Sequence, residues 1–128
     1  MSEKYNLTPV EFELMDILWK IGQGTVRDVM SQLSASRDLA YTSVSTILRI
    51  LEQKGILSAK KSNQKRHIYS PIFSKEKFAQ HSVSKIVDQV FSGNSVELVA
   101  YLMNKNITID EITAIQKLLN SKKKELAS

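Results

Sequence analysis

Apolar residues recur three and four positions apart along the first part of the chain. Val10, Leu14, Ile17, Leu18 and Ile21 fall on one side of a helix at that spacing. The segment before them, Leu7-Thr8-Pro9-Val10-Glu11-Phe12, predicts where the helix starts. Thr8 can cap it, Pro9 suits the first helical position, Glu11 completes a capping box, and Leu7 and Phe12 have the spacing of a hydrophobic staple. Gly22 and Gly24 predict its end. Thr25-Val26-Arg27-Asp28 repeats the box form and opens a second helix, with Val26, Val29, Met30 and Leu33 facing inward. Polar Ser34-Ala35-Ser36-Arg37-Asp38 reads as a loop. A third helix is expected from Thr42 to Lys54, with the stripe Val44, Ile47, Leu48, Leu51 buried and Gly55 as its stop.

The period then changes. Ile56–Lys60 and His67–Pro71 are short and extended in character, and the polar turn Lys61-Ser62-Asn63-Gln64-Lys65-Arg66 lies between them. This predicts a β-hairpin with a basic tip, Pro71 ending its second strand. After Ser74 the helical period returns in three segments. One carries Phe78, Val83, Ile86, Val87, Val90 and Phe91. The next, after Ser92-Gly93 and a start at Asn94-Ser95-Val96-Glu97, carries Val96, Leu98, Val99, Leu102 and Met103. The last, opened by Thr108-Ile109-Asp110-Glu111, carries Ile112, Ile115, Leu118 and Leu119. The expected fold is mainly α with a small β-hairpin: a winged helix-turn-helix over residues 1–73, then a three-helix dimerisation domain over residues 74–128. A segment of about 55 residues is too small to bury such rich apolar faces alone. A second copy is therefore expected to cover Val87, Val90, Phe91, Leu98, Leu102, Ile112, Ile115 and Leu119.

Composition narrows the chemistry. The chain has 128 residues and no cysteine, which removes disulfides, thiolate nucleophiles and thiolate metal sites together. Lys and Arg number 18 against 13 Asp and Glu, a net charge of +5. Between Arg49 and Arg66 lie six bases against Glu52 alone, so the whole excess sits in one stretch and the remainder balances at 12 against 12. A basic patch on a neutral body is the footprint of a polyphosphate binder. No apolar run approaches the ~18 residues of a membrane span. Met1–Leu7 is polar, with no basic stretch feeding an apolar one, so no signal peptide and a cytoplasmic location are expected.

With Val44, Ile47, Leu48 and Leu51 turned inward, Thr42, Ser43, Ser45, Thr46 and Arg49 project from the other faces of the third helix. Short hydroxyls let the backbone approach a duplex and bond phosphates or base edges, and an arginine can clamp guanine or phosphate. Tyr41 stands at the helix entrance, where its hydroxyl can reach a phosphate. On the hairpin, Lys60, Lys61, Lys65 and Arg66 would straddle the phosphate backbone. Plainer readings exist: Thr42 and Ser43 as caps only, Arg49 as a solvated charge, and the hairpin lysines as guards of a sheet edge. A winged helix used for protein contact, without sequence-specific DNA binding, is the rival function. It would expose apolar residues on the third helix and carry a neutral wing.

Several segments together resemble the penicillinase-repressor (BlaI/MecI/CopY) family. They are Thr8-Pro9-Val10-Glu11 leading to Met15-Asp16-Ile17-Leu18-Trp19, Thr25-Val26-Arg27-Asp28-Val29, Leu39-Ala40-Tyr41-Thr42-Ser43-Val44-Ser45-Thr46, Glu52-Gln53-Lys54-Gly55-Ile56-Leu57, Tyr69-Ser70-Pro71, Phe91-Ser92-Gly93 and Glu97-Leu98-Val99. The resemblance runs from about Leu7 to Leu119. It implies an N-terminal winged helix, a C-terminal helical dimerisation domain, and homodimers that repress transcription from pseudo-palindromic double-stranded DNA operators. It also implies release by an inducer or a protease. Penicillinase-type members are cut at an Asn-Phe bond, where this chain has Tyr101-Leu102, and copper-type members use C-terminal cysteine pairs, which it lacks. Ile50 stands where the family often has Arg, with Arg49 before it, and Gln64-Lys65 stands at the wing-tip Gly-Arg.

No enzyme signature is present. His67 and His81 lie in different predicted elements, too few and too separated for a metal site. No P-loop, G-x-G-x-x-G or Ser/His/Asp set appears, and Asp110-Glu111 reads as helix N-terminal charge. No cofactor is expected. The expected partners are operator DNA, a second copy of the chain, and an inducer or protease of unknown identity, with no membrane.

Overall fold

The computed structural model of the chain describes residues 6–33 and 37–128. Residues 1–5 of the polar opening, and Ser34, Ala35 and Ser36 of the expected loop, lie outside the described residues. The elements follow the order α1 (Pro9–Ile21), α2 (Val26–Gln32), α3 (Tyr41–Gln53), β1 (Leu57–Lys61), β2 (His67–Pro71), α4 (Lys75–Val90), α5 (Ser95–Met103) and α6 (Ile109–Ala127). Three helices followed by an antiparallel hairpin is the winged helix-turn-helix arrangement. The chain divides into two compact units, residues 1–83 and 84–128.

Local chemistry sets the helix starts. Thr8 Oγ1 accepts from the Glu11 amide at 3.1 Å, while Glu11 Oε1 accepts from the Thr8 amide at 2.9 Å. Thr25 with Asp28 and Thr108 with Glu111 close the same reciprocal box. Ser74 and Asn94 accept from the amides of Lys77 and Glu97. Gly22 ends α1 at φ 89°, a left-handed conformation that suits glycine. Gly24 does different work from the helix stop expected of it. Its amide and carbonyl pair with Tyr69 at 2.9 and 2.8 Å, which ties the α1–α2 connection to the wing. A Cβ there would sit 2.9 Å from Ile21 Cδ1 and 3.0 Å from Asp28 Cβ, so any larger residue has to displace these neighbours.

The first unit is built around Leu14, Met15, Leu18, Val29, Val44, Leu48, Leu51 and Ile56, all fully buried, with Leu57 and Tyr69 closing the core from the hairpin. Met15 joins the α1 face in place of Ile21, which is 37% exposed at the helix end. Ile47, Met30 and Leu33 are only partly buried. Glu11 lies inside this unit at 7% exposure, and both its carboxylate oxygens accept from Lys54 Nζ, at 2.9 and 3.0 Å. Burial pushes the Glu11 carboxyl up, but the Thr8 amide and the Lys54 ammonium outweigh it and hold it below the ordinary glutamate range.

The start of α4 packs within the first unit. The Phe78 ring lies 5.9 Å from that of Phe12 and 5.5 Å from that of Trp19. Trp19 Nε1 donates to the Phe73 carbonyl at 2.9 Å, and Lys75 pairs with Asp16 at 2.7 Å. These contacts carry the first compact unit past the division at 73/74 expected from the sequence. In the second unit, residues 84–128, no side chain is buried; Phe91 and Tyr101 make a tilted ring contact at 5.3 Å.

Candidate nucleic-acid interface

The interface is built outward from α3. Its inner side, Val44, Leu48 and Leu51, is fully buried. That fixes the helix and leaves Tyr41, Thr42, Ser43, Thr46 and Arg49 exposed, with Ser45 half-buried. The N-cap is Ala40, which makes no side-chain cap, so Thr42 and Ser43 lie inside the first turn and do not act as caps. Among the described residues none of the four hydroxyls of Thr42, Ser43, Ser45 and Thr46 holds a hydrogen bond. They are available to an external partner.

The wing places the second set of candidates. Lys60 pairs with Ile68 and Lys61 with His67 in the antiparallel register, and both lysines are exposed. At the tip the Ser62 amide donates to the Arg66 carbonyl at 2.8 Å, and Ser62 Oγ accepts from the amides of Gln64 and Arg66 at 3.3 Å. Lys65 takes up the turn at φ 61°, a left-handed position held by a non-glycine residue. Lys65 and Arg66 are exposed.

The structure brings part of this set together. A cleft of about 230 Å³ opens between α2, α3 and the wing, with Arg27, Tyr41, Ser45, Lys65, Arg66 and His67 on its walls. Thr42, Ser43, Thr46, Arg49, Lys60 and Lys61 lie outside it. Tyr69 forms part of the lining, and burial above all raises its phenol above the ordinary value; Glu52 and Tyr41 add to this and Arg49 opposes it. The phenol is therefore neutral at physiological pH.

Arg27 is the residue that the sequence reading passed over. It is exposed on α2, and its guanidinium sits 5.2 Å from the Tyr41 ring centre. Its only signal in the sequence is a charge flanking the buried Val26. Lys54, counted in the basic stretch, is spent on Glu11 and does not belong to the patch.

The residues expected at a dimer interface are distributed over the second unit with much apolar surface uncovered. Val90 is 68%, Leu102 48%, Ile112 37% and Leu119 57% exposed, while Val87, Phe91, Leu98 and Ile115 are half-buried. Among the described residues no group of three metal-ligating side chains converges, and no helix is long and apolar enough to cross a membrane.

The sequence model of the penicillinase repressor family matches residues 7–121. The methicillin resistance regulatory protein MecI of Mammaliicoccus sciuri is 25% identical over 123 residues, covering 94% of this chain and 98% of MecI. The transcriptional regulator BlaI of Mycobacterium tuberculosis is 28% identical over 120 residues, covering 93% of this chain and 86% of BlaI. The solution structure of the DNA binding domain of the repressor BlaI matches with a TM-score of 0.50 at 23% identity, covering 59% of this chain and 90% of that domain, which is a likeness of fold. Matched by the family model from residue 7 to residue 121, this chain belongs to the penicillinase repressor family.

Proposed function

We propose that the protein is a DNA-binding transcriptional repressor that works in the cytoplasm as a homodimer on a pseudo-palindromic operator. The observation that carries this reading is the outer side of α3. It presents hydroxyls and Arg49 beside the partly exposed Ile50, next to a wing tip bearing Lys65 and Arg66. Family membership supports the same role, since its members are repressors and not enzymes. In this reading α3 enters the major groove, where Thr42, Ser43, Ser45, Thr46 and Arg49 meet base edges and nearby phosphates and Tyr41 reaches a phosphate. Lys60, Lys61, Lys65 and Arg66 supply phosphate affinity from the wing. Residues 74–128 form the dimerisation domain, joining copies through Val87, Val90, Phe91, Leu98, Leu102, Ile112, Ile115 and Leu119. Two half-sites then lie about one DNA turn (~34 Å) or a multiple apart.

Release of the operator requires an inducer or a protease. A copper–thiolate sensor is excluded by the absence of cysteine, and Tyr101-Leu102 within α5 offers no Asn-Phe bond. The test is duplex binding by fluorescence anisotropy across a salt series. Arg49→Ala is expected to cost about 1–3 kcal/mol on the cognate site and much less on unrelated duplex. Replacing Lys60, Lys61, Lys65 and Arg66 together by alanine is expected to weaken all sequences alike and to flatten the salt dependence. Equal binding by wild type and the quadruple variant at low salt would refute the interface and favour a protein-contact winged helix.

A further inference from the structure

The cleft between α2, α3 and the wing concentrates cations that have no counter-charge. Elsewhere in the first unit Lys54 pairs with Glu11, Lys75 and Lys20 with Asp16, and Arg37 with Glu13, while Arg49, Lys60, Lys61 and Lys77 are in no ion pair among the described residues but do not line the cleft. In the cleft Arg27, Lys65 and Arg66 converge from two separate elements, no carboxylate lines it, and none of the three is in an ion pair among the described residues. Such an arrangement repels cations and stores a local positive potential that an oxyanion relieves. The Arg27 guanidinium is held over the Tyr41 ring, and a guanidinium ordered in this way offers its N–H fork to a phosphate with little further loss of freedom. Ser45 and the neutral Tyr69 phenol line the same space with groups that can donate to oxygen.

Size sets the ligand class. The cleft holds about 230 Å³, the liquid volume of about seven or eight waters, which is more than one phosphate group needs. It has room for an oxyanion together with a small organic substituent, and Tyr41 provides an aromatic wall for that substituent.

We propose that this cleft is an oxyanion seat for a phosphate ester, held by Arg27, Lys65 and Arg66 against Tyr41, and that a DNA backbone phosphodiester and a free small phosphate ester compete for it. The competition rests on the DNA-binding reading above; occupancy by the free ester does not. A soluble anion of this class therefore loosens the grip on DNA without cysteine chemistry or chain cleavage.

The test uses the full-length chain with phenyl phosphate as the probe and inorganic phosphate as the size control. Amide shifts are followed by NMR in the absence of DNA. Saturable shifts centred on Arg27, Tyr41, Arg66 and His67 are expected, tighter for phenyl phosphate than for inorganic phosphate. Arg27→Ala should weaken the ester by about tenfold or more, and Arg27→Lys, which keeps the charge but loses the fork, should fall between. In a second arm, phenyl phosphate should release a fluorescent duplex beyond a salt-matched control from wild type, and lose that excess in Arg27→Ala.

The proposal is overturned by shifts that do not saturate, or that spread equally over Lys117, Lys122, Lys123 and Lys124 of α6. Ester affinity unchanged in Arg27→Ala, or DNA binding indifferent to saturating ester, overturns it as well. Failure of the DNA-binding reading shows separately, as no duplex binding at low salt before any ester is added.

Discussion

Replacing Leu102 by alanine tests assembly through the second unit. Leu102 is 48% exposed, and no side chain in residues 84–128 is buried. Burying a leucine completely stabilises by about 1.5–3 kcal/mol, so the half still open to water represents about 0.7–1.4 kcal/mol in each copy. A two-fold interface repeats every contact, which doubles the effect to about 1.4–3 kcal/mol. Alanine keeps one of the four side-chain carbons, so about three quarters of that, about 1–2 kcal/mol, is lost, and the dimer dissociation constant should rise about 5–30-fold. Sedimentation velocity across the micromolar range measures this directly. The helical circular dichroism should not change, because a half-exposed side chain contributes little to the isolated fold. Affinity for an inverted-repeat duplex should fall in step, since two linked half-site contacts act with an avidity that separate ones lack. A wild-type chain that stays monomeric at micromolar concentration, yet binds such a duplex tightly, would refute the reasoning. A Leu102→Ala variant with an unchanged dimer constant would place Leu102 outside the interface.

Lys54→Ala should destabilise the first unit by about 1–3 kcal/mol, less than the ~3–5 of a fully buried pair because Lys54 keeps part of its surface in water. Since the Glu11 carboxyl is held low, the pair's contribution is complete above the ordinary glutamate value of about 4.3 and is lost as pH falls through the folded-state value. Urea denaturation of both proteins near neutrality and in acid should show the gap closing in acid; an equal gap at both would contradict it. Gly24→Ala should cost about 1–3 kcal/mol, because the new Cβ meets Ile21 and Asp28 and disturbs both the α2 capping box and the Tyr69 bridge. A melting temperature equal to wild type would show that the connection yields without cost.

Local rules made much of this molecule legible in its sequence. The boxes at Thr8, Thr25 and Thr108 each join residues three apart, so spacing alone identifies them. The α3 stripe of Val44, Leu48 and Leu51 follows from helical period, and the outward set from Thr42 to Arg49 follows by subtraction. The hairpin followed from the change of period, to within one residue at β1.

Tertiary structure alone decided the fate of individual charges and rings. Lys54 reaches Glu11 across 43 positions, Trp19 reaches the Phe73 carbonyl across 54, and Lys75 reaches Asp16 across 59. The first removes a base from the apparent basic stretch, and the other two draw the start of α4 into the first unit. The docking of α2 beside α3 and the wing adds Arg27 to the cationic patch. A side chain's neighbours within a turn are fixed by helical geometry, whereas its neighbours across the fold depend on how whole elements pack, which no local spacing encodes. The sequence therefore determined the elements and the sign of the surface, and packing determined which cations share one cleft.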